Sequence, residues 1–421
     1  MYGANLHSDF FRMTKPDIRE FTLPTSHRLV CLHTRRPIGI FGFTVNAGSR
    51  HELAPEEHGL AHFVEHTIFK GTSRRRSWHI NSRMEAVGGE LNAYTTKEEI
   101  TFYSIFPRGN LARAAELLAD LAFNATFPQK ELDKEREVVL EEIQSYLDTP
   151  SELVFDEFEN HLFSGTPLGH AILGTEENLR GFDTEACRRY VDRLFTPSRM
   201  VLFYAGSEAP ERVRAIVSRR FESSASRADI VIPEPALPEA AEVFTTVRDI
   251  DSHQAHTVMG ARVPGQFAPE RHALALLTNI IGGPGMNSRL NTELRERRGL
   301  VYSADASLSL MADCGLFNIY FGCNADDTER CSDIARGILR DLAEHPLSPR
   351  RLAAAKKQYL GQLAVAAASL EQTILSLARS ELIVGKIPDP ETTVKEINEV
   401  TADQLAQAAS LLTSPSSLTL R

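Results

Sequence analysis

Two periodicities alternate along the chain. Between residues 16 and 50, short apolar runs separated by turn residues predict antiparallel strands. Arg19–Leu23 and His27–Leu32 flank Pro24-Thr25-Ser26, and Ile38–Val45 follows as a more buried strand ending at Asn46-Ala47-Gly48. A helix then begins after Pro55-Glu56-Glu57 and is closed by Gly71; a second, from about Ser77 to Val87, stops at Gly88-Gly89. Glu90–Thr95 and Ile100–Ile105 read as two strands around the polar Thr96-Lys97-Glu98-Glu99. From Asn110 to Asn124 the residues Leu111, Ala114, Ala115, Leu118 and Leu121 recur at helical spacing, and after Pro128 a strongly charged helix covers 129–147. A further helix, the buried strand Met200–Gly206 and a helix from about Ala209 to Phe221 complete the first half.

Residues 223–241, with Pro233, Pro235 and Pro238 among small and polar neighbours, read as a linker, after which the order repeats. Ser82-Arg83-Met84 has a counterpart in Ser288-Arg289-Leu290. Ile100–Ile105 precedes a helix holding Leu118-Ala119-Asp120-Leu121, as Gly315–Gly322 precedes one holding Leu339-Arg340-Asp341-Leu342. The offset is roughly 215 residues, a spacing that points to internal duplication. The expected fold class is therefore α+β: two homologous domains, 1–222 and 242–421, each a mainly antiparallel sheet packed with helices.

Composition narrows the function classes. The chain has 421 residues, enough for two or three domains each with a full core, with ordinary hydrophobic (42%) and charged (24%) fractions. A formal net charge of −10 argues against a nucleic-acid binder, which carries a basic face. Cys31, Cys187, Cys314, Cys323 and Cys331 form no Cys-x-x-Cys pair, so neither a thiolate zinc site nor a redox motif is suggested, and reduced thiols are the simpler reading. Met1 to Lys15 lacks an apolar run after a basic start, and no stretch approaches the roughly 20 apolar residues of a membrane span. The expectation is a cytoplasmic protein.

The chemistry centres on His62-Phe63-Val64-Glu65-His66 within the first helix. Residues four apart share a helix face, so His62 and His66 can turn two imidazoles toward one metal ion with Glu65 beside them as a base. A catalytic zinc takes three protein ligands and keeps a fourth position for water. The charged helix offers Glu135, Glu141 and Glu142 for the third ligand, and spacing alone does not choose among them. A solvated helix is the bland alternative for so Glu-rich a segment. His51, His58 and His79 are read as ordinary histidines, and Trp78 with the Arg74-Arg75-Arg76 run as surface features.

With these residues in hand, the sequence resembles the pitrilysin, insulysin and mitochondrial processing peptidase family of zinc metallopeptidases over nearly its whole length. His62, Glu65 and His66 match the family's metal and base motif, and Glu135–Ile143 matches the helix whose second glutamate completes the zinc site. The resemblance implies Glu142 as the third ligand, Glu135 as a supporting carboxylate and one Zn2+ per chain. Gly88–Thr95 is similar to the substrate-aligning strand, which implies that peptide is held along Leu91, Asn92, Ala93, Tyr94 and Thr95; Pro167–Thr175 is similar to another recurrent stretch. In the second half, Gly282–Leu290 looks like the family's glycine-rich segment, and Arg295 and Tyr302 match an Arg/Tyr pair that reaches substrate near the metal.

The resemblance further implies a zinc endopeptidase acting on short unfolded peptides or presequences. The first domain would be catalytic and the second without metal, since Leu274–Asn279 stands where the motif would be. Large relatives hold four such domains in one chain, so two here imply a homodimer, or a heterodimer with a related chain, in which Arg295 and Tyr302 serve the partner's site. The competing function is a processing or structural subunit of a hetero-oligomer with a related chain; against a structural or binding subunit that kept the fold without the activity stand the intact His62, Glu65, His66 and Glu142.

Overall fold

The structure, a computed structural model, describes residues 17–53, 55–222 and 242–421. The N-terminal stretch Met1–Lys15 and the expected linker at 223–241 lie outside the described residues. The strands are β1 (Asp17–Thr22), β2 (Arg28–His33), β3 (Ile38–Val45), β4 (Glu90–Thr95), β5 (Ile100–Pro107) and β6 (Met200–Gly206) in the first half. In the second half they are β7 (Thr245–Arg248), β8 (Ala255–Pro264), β9 (Val301–Leu310), β10 (Cys314–Cys323) and β11 (Ser416–Leu420). The sheets run β1-β2-β6-β3-β5-β4 and β7-β11-β8-β10-β9. Both are antiparallel except for one parallel pair each, β2 with β6 and β7 with β11. Leaving out β1, the two orders superpose strand for strand, which is the duplication read from the sequence expressed as topology.

The described residues fall into two compact units. The first draws on the described residues within 17–143, 171–222 and 364–388, the second on those within 144–170, 242–363 and 389–421. Each unit thus takes one segment from the other side of 223–241, and the core explains why. On β2 and β6, alternate residues point to opposite faces. Leu29, Cys31, Met200, Leu202 and Tyr204 enter one apolar cluster; Val30, Leu32, Val201, Phe203 and Ala205 enter another. The second cluster is closed by Leu370, Ile374, Ala378 and Leu382, spaced four apart on the helix Leu370–Val384. A sheet covered on both faces needs continuous apolar strands, hence the unbroken Met200–Ala205 run. Burying each large side chain there contributes roughly 1.5–3 kcal/mol. Polar ties fix this helix: Tyr103 donates to Glu371 at 2.6 Å, and Arg28 pairs with Glu381 at 3.3 Å.

The second sheet is covered likewise. Val154, Phe158 and Leu162 of the helix Pro150–Leu162 pack with Val258, Leu316, Leu418 and Leu420, and Arg262 donates to the Leu162 carbonyl at 2.6 Å.

Candidate metal centre

The motif helix spans Leu60–Thr67, shorter than the stretch closed by Gly71 and followed by a 3₁₀ turn, Ile68–Lys70. Its start is set by two glycines. Gly59 has φ +97°, and a Cβ there would stand 2.7 Å from the Leu173 carbonyl; a Cβ on Gly174 (φ +71°) would stand 2.3 Å from the His58 carbonyl. Neither position accepts a side chain without the backbones moving apart, so the Pro167–Thr175 stretch acts through close packing against the helix entry. The first-turn amides are met by buried Glu52, which accepts from Gly59 at 3.0 Å and Ala61 at 2.7 Å. Leu60, Ala61, Phe63 and Val64 are wholly buried, so His62, Glu65 and His66 are left on the remaining face.

The helix Gln129–Leu147 supplies the carboxylates. Leu132 and Val139, two turns apart, anchor it in the core, and Arg136 ties it to the carbonyls of Leu179 and Phe182 at 3.1 and 2.8 Å. Glu135 and Glu142, equally two turns apart, face the motif helix. Oε2 of Glu142 lies 3.7 Å from Nε2 of His62 and 3.5 Å from Nε2 of His66. Nδ1 of His66 stands 3.2 Å from Oε1 of Glu135, whose other oxygen meets Lys70 at 2.6 Å. Glu141, the third glutamate that spacing left open, is exposed.

His62, His66 and Glu142 can place three ligand atoms within 4.8 Å of one another, the only such group among the described residues. Ligand atoms of a tetrahedral zinc, each about 2.0–2.1 Å from the metal, stand about 3.4 Å apart. The separations of 3.5 and 3.7 Å match that spacing, and two imidazoles with one carboxylate form a catalytic zinc donor set. The residues fit the ion.

The electrostatics follow from burial and proximity. Burial, with His66 adjacent, pushes His62 down to about 3, so its imidazole is neutral, as a ligand must be. Burial also opposes charge on His66, but the hydrogen bond to Glu135 and the neighbouring carboxylates outweigh it and raise its pKa. Burial raises Glu65 above the ordinary carboxylate range, against the Thr95 hydrogen bond and His66, which favour its charge. For Glu135, burial is outweighed by the hydrogen bonds from His66 and Lys70, which hold it below that range. A dication held by these residues would favour neutral imidazoles on His62 and His66 and ionised carboxylates around them.

The expected substrate strand is β4, an edge of the first sheet. Leu91 and Ala93 pack toward the core cluster that contains the motif helix, whereas Tyr94 turns to the opposite face and donates to Glu99 at 3.3 Å. Thr95 continues the Leu91/Ala93 face and donates to Oε2 of Glu65 at 2.6 Å. Arg295 and Tyr302 belong to the second unit, on the π-helix Asn291–Glu296 and on β9. The guanidinium lies 5.6 Å from the ring centroid, and Tyr302 is 81% exposed. The Arg74–Arg76 run is not wholly superficial: Arg75 pairs with Glu116 and with Asp120, which is 1% exposed.

Sequence reasoning missed Glu52 as the helix cap and Thr95 as a partner of Glu65. An acidic residue seven positions before a helix-opening glycine is a faint signal for the first. The alternation Leu91, Ala93, Thr95 could have assigned the second to the helix face.

Comparison with known proteins gives a consistent result. A family model described as insulinase (peptidase family M16) matches residues 30–176, and one described as the peptidase M16 inactive domain matches residues 181–359. The uncharacterized zinc protease YmxG of Bacillus subtilis is 30% identical, covering 92% of this chain and 94% of its own. An uncharacterized zinc protease of Mycobacterium leprae is 33% identical over 91% and 86%, respectively. Among solved structures, a protease from Helicobacter pylori superposes with TM-score 0.90 at 20% identity, covering 97% of this chain and 100% of that one. A peptidase M16 inactive domain from Pseudomonas fluorescens superposes with TM-score 0.88 at 17% identity, covering 96% and 97%. The two structures bear on the fold.

Proposed function

From the premise that the chain belongs to peptidase family M16, the insulinase family, and is a zinc protease of that family, we propose a specific arrangement: an endopeptidase for short unfolded peptides or presequences whose hydrolytic centre is His62, His66, Glu142 and Glu65. The observation that carries this reading is the convergence of two imidazole Nε2 atoms and one Glu142 oxygen beside Glu65. His62, His66 and Glu142 hold one zinc per chain. Zinc bound there supplies Lewis acidity that brings the pKa of a water toward about 7. Glu65 accepts a proton from the attacking water and returns it to the leaving amine. Glu135 orients His66 by occupying its Nδ1 side.

Peptide lies along the free edge of β4 as an added strand, main chain to main chain through Leu91–Thr95, which leaves side-chain preference loose. Arg295 holds a peptide carbonyl and the Tyr302 hydroxyl stabilises the developing oxyanion. Both come from a second copy of the chain in a homodimer that encloses the substrate. No single helix among the described residues is long and apolar enough to cross a membrane, and a cytoplasmic location is part of the proposal.

The test is zinc content together with cleavage of a quenched fluorescent peptide. Wild type should carry about one zinc per chain and cleave, and Glu65→Gln should keep the zinc and lose at least about a hundredfold in kcat. Equal cleavage by both proteins refutes the role of Glu65.

A further inference from the structure

The end of β4 does more than border the site. We infer that Thr95 is a positioning residue for Glu65, holding one carboxylate oxygen so that the other is presented to the reacting water; this rests on the proposed hydrolytic reading. The Thr95 hydroxyl donates to Oε2 of Glu65 at 2.6 Å and is that carboxylate's only hydrogen-bond partner among the described residues. A carboxylate on a flexible side chain has several rotamers of similar energy, and one short, charge-assisted hydrogen bond selects among them. With Oε2 engaged, Oε1 is the proton acceptor.

The hydroxyl is itself fixed by the scaffold. The turn after β4 is strapped to residues 48–50: Gly48 donates to the Glu98 carbonyl at 2.9 Å, Ser49 to Thr96 at 3.1 Å and Arg50 to Lys97 at 2.9 Å. A Cβ on Gly48 would come within 2.4 Å of Thr96 O and Glu98 N, so the contact is backbone on backbone. Two residues on, Glu52 accepts the amides that open the motif helix. One short segment, Gly48–Glu52, therefore sets both the helix that carries Glu65 and the hairpin that carries Thr95.

The experiment compares zinc-loaded wild type, Thr95→Val, Thr95→Ser and the same changes in Glu65→Gln, with a quenched peptide. Val keeps the shape and strand preference of Thr without the hydroxyl. Thr95→Val should lose at least about tenfold in kcat with KM within about twofold, because a misplaced group costs rate rather than binding. Zinc affinity by chelator competition and Tm should stay at wild-type values, Thr95→Ser should restore kcat, and Thr95→Val should add nothing in the Glu65→Gln background. If Val disturbs the strand, shown by a lowered Tm, Thr95→Ala gives the same comparison. Wild-type kcat in Thr95→Val, a loss confined to KM, or a parallel fall in zinc affinity overturns the role of Thr95. A wild type that neither binds zinc nor cleaves overturns the hydrolytic reading and this role with it.

Discussion

Oε1 of Glu135 lies 3.2 Å from Nδ1 of His66, the nitrogen facing away from Glu142, and the same carboxylate's Oε2 meets Lys70 at 2.6 Å. In the proposed centre the carboxylate thereby sets which imidazole nitrogen faces the metal position and holds the ring against rotation. Nδ1 of His62 is buried and has no such partner among the described residues. The two imidazoles are therefore unequal, and Glu135 orients only His66. Glu135→Ala should lower zinc affinity by about 10–100-fold, in the range of other carboxylate partners of metal-bound histidines. Competition with a chromophoric chelator measures it; unchanged affinity would remove Glu135 from the site.

Gly59 combines a left-handed backbone with a crowded neighbour, and these costs can be separated. Gly109 has a similar φ of +93° but nothing within 4 Å of a built Cβ, whereas Gly59 would press on Leu173 O at 2.7 Å. Gly109→Ala should cost about 1 kcal/mol from the backbone alone, and Gly59→Ala about 2–3 kcal/mol. Only Gly59→Ala should also weaken zinc binding, since His62 is three residues further on. Denaturant unfolding of both variants checks the order.

These positions also show what the sequence could and could not convey. The His62–His66 spacing is local, so helix geometry alone put both imidazoles on one face, and the Leu60–Thr67 helix carries them there. The choice among Glu135, Glu141 and Glu142 depends on how a second helix rotates against the first. Leu132 and Val139 set that rotation by burying themselves, a tertiary fact that periodicity hints at only when the partner surface is known. The helix Leu370–Val384 is harder still. Nothing local to that segment points to the sheet it covers, whose β5 residue Tyr103 lies 268 positions before its partner Glu371. Thr95 was legible as a strand residue, while its bond to Glu65 required the two elements side by side.

Glu99 gives a pH prediction away from the proposed metal centre. Burial raises its carboxyl above the ordinary range; Arg379 and the Tyr94 hydroxyl oppose the rise, and Glu98 adds to it. The folded chain therefore keeps the proton to higher pH than the unfolded chain. The associated stability is full below the ordinary value of about 4.3 and is lost as pH rises through the raised folded value. Glu99→Gln has no such titration and keeps an oxygen for the Tyr94 hydroxyl. Its Tm should gain on wild type progressively as pH rises above 4, read from thermal melts across that range. A gap that is constant or narrows with rising pH contradicts the assignment.

Tyr302 tests whether the functional unit is larger than one chain. Its side chain is 81% exposed, so Tyr302→Phe should change folding stability by less than about 0.5 kcal/mol. Loss of an oxyanion donor should nevertheless cost kcat about tenfold or more. If Tyr302 serves the partner's centre, a Glu65→Gln chain still offers a good hydroxyl and a Tyr302→Phe chain still offers a good base. After equal mixing and subunit exchange, half of the dimers pair the two variants and each holds one intact centre, so activity should recover to about a quarter of wild type. If each chain uses its own Tyr302, no mixed dimer contains an intact centre and mixing restores nothing. Cleavage rates before and after exchange, with the oligomer followed by light scattering at the same concentrations, decide between the two.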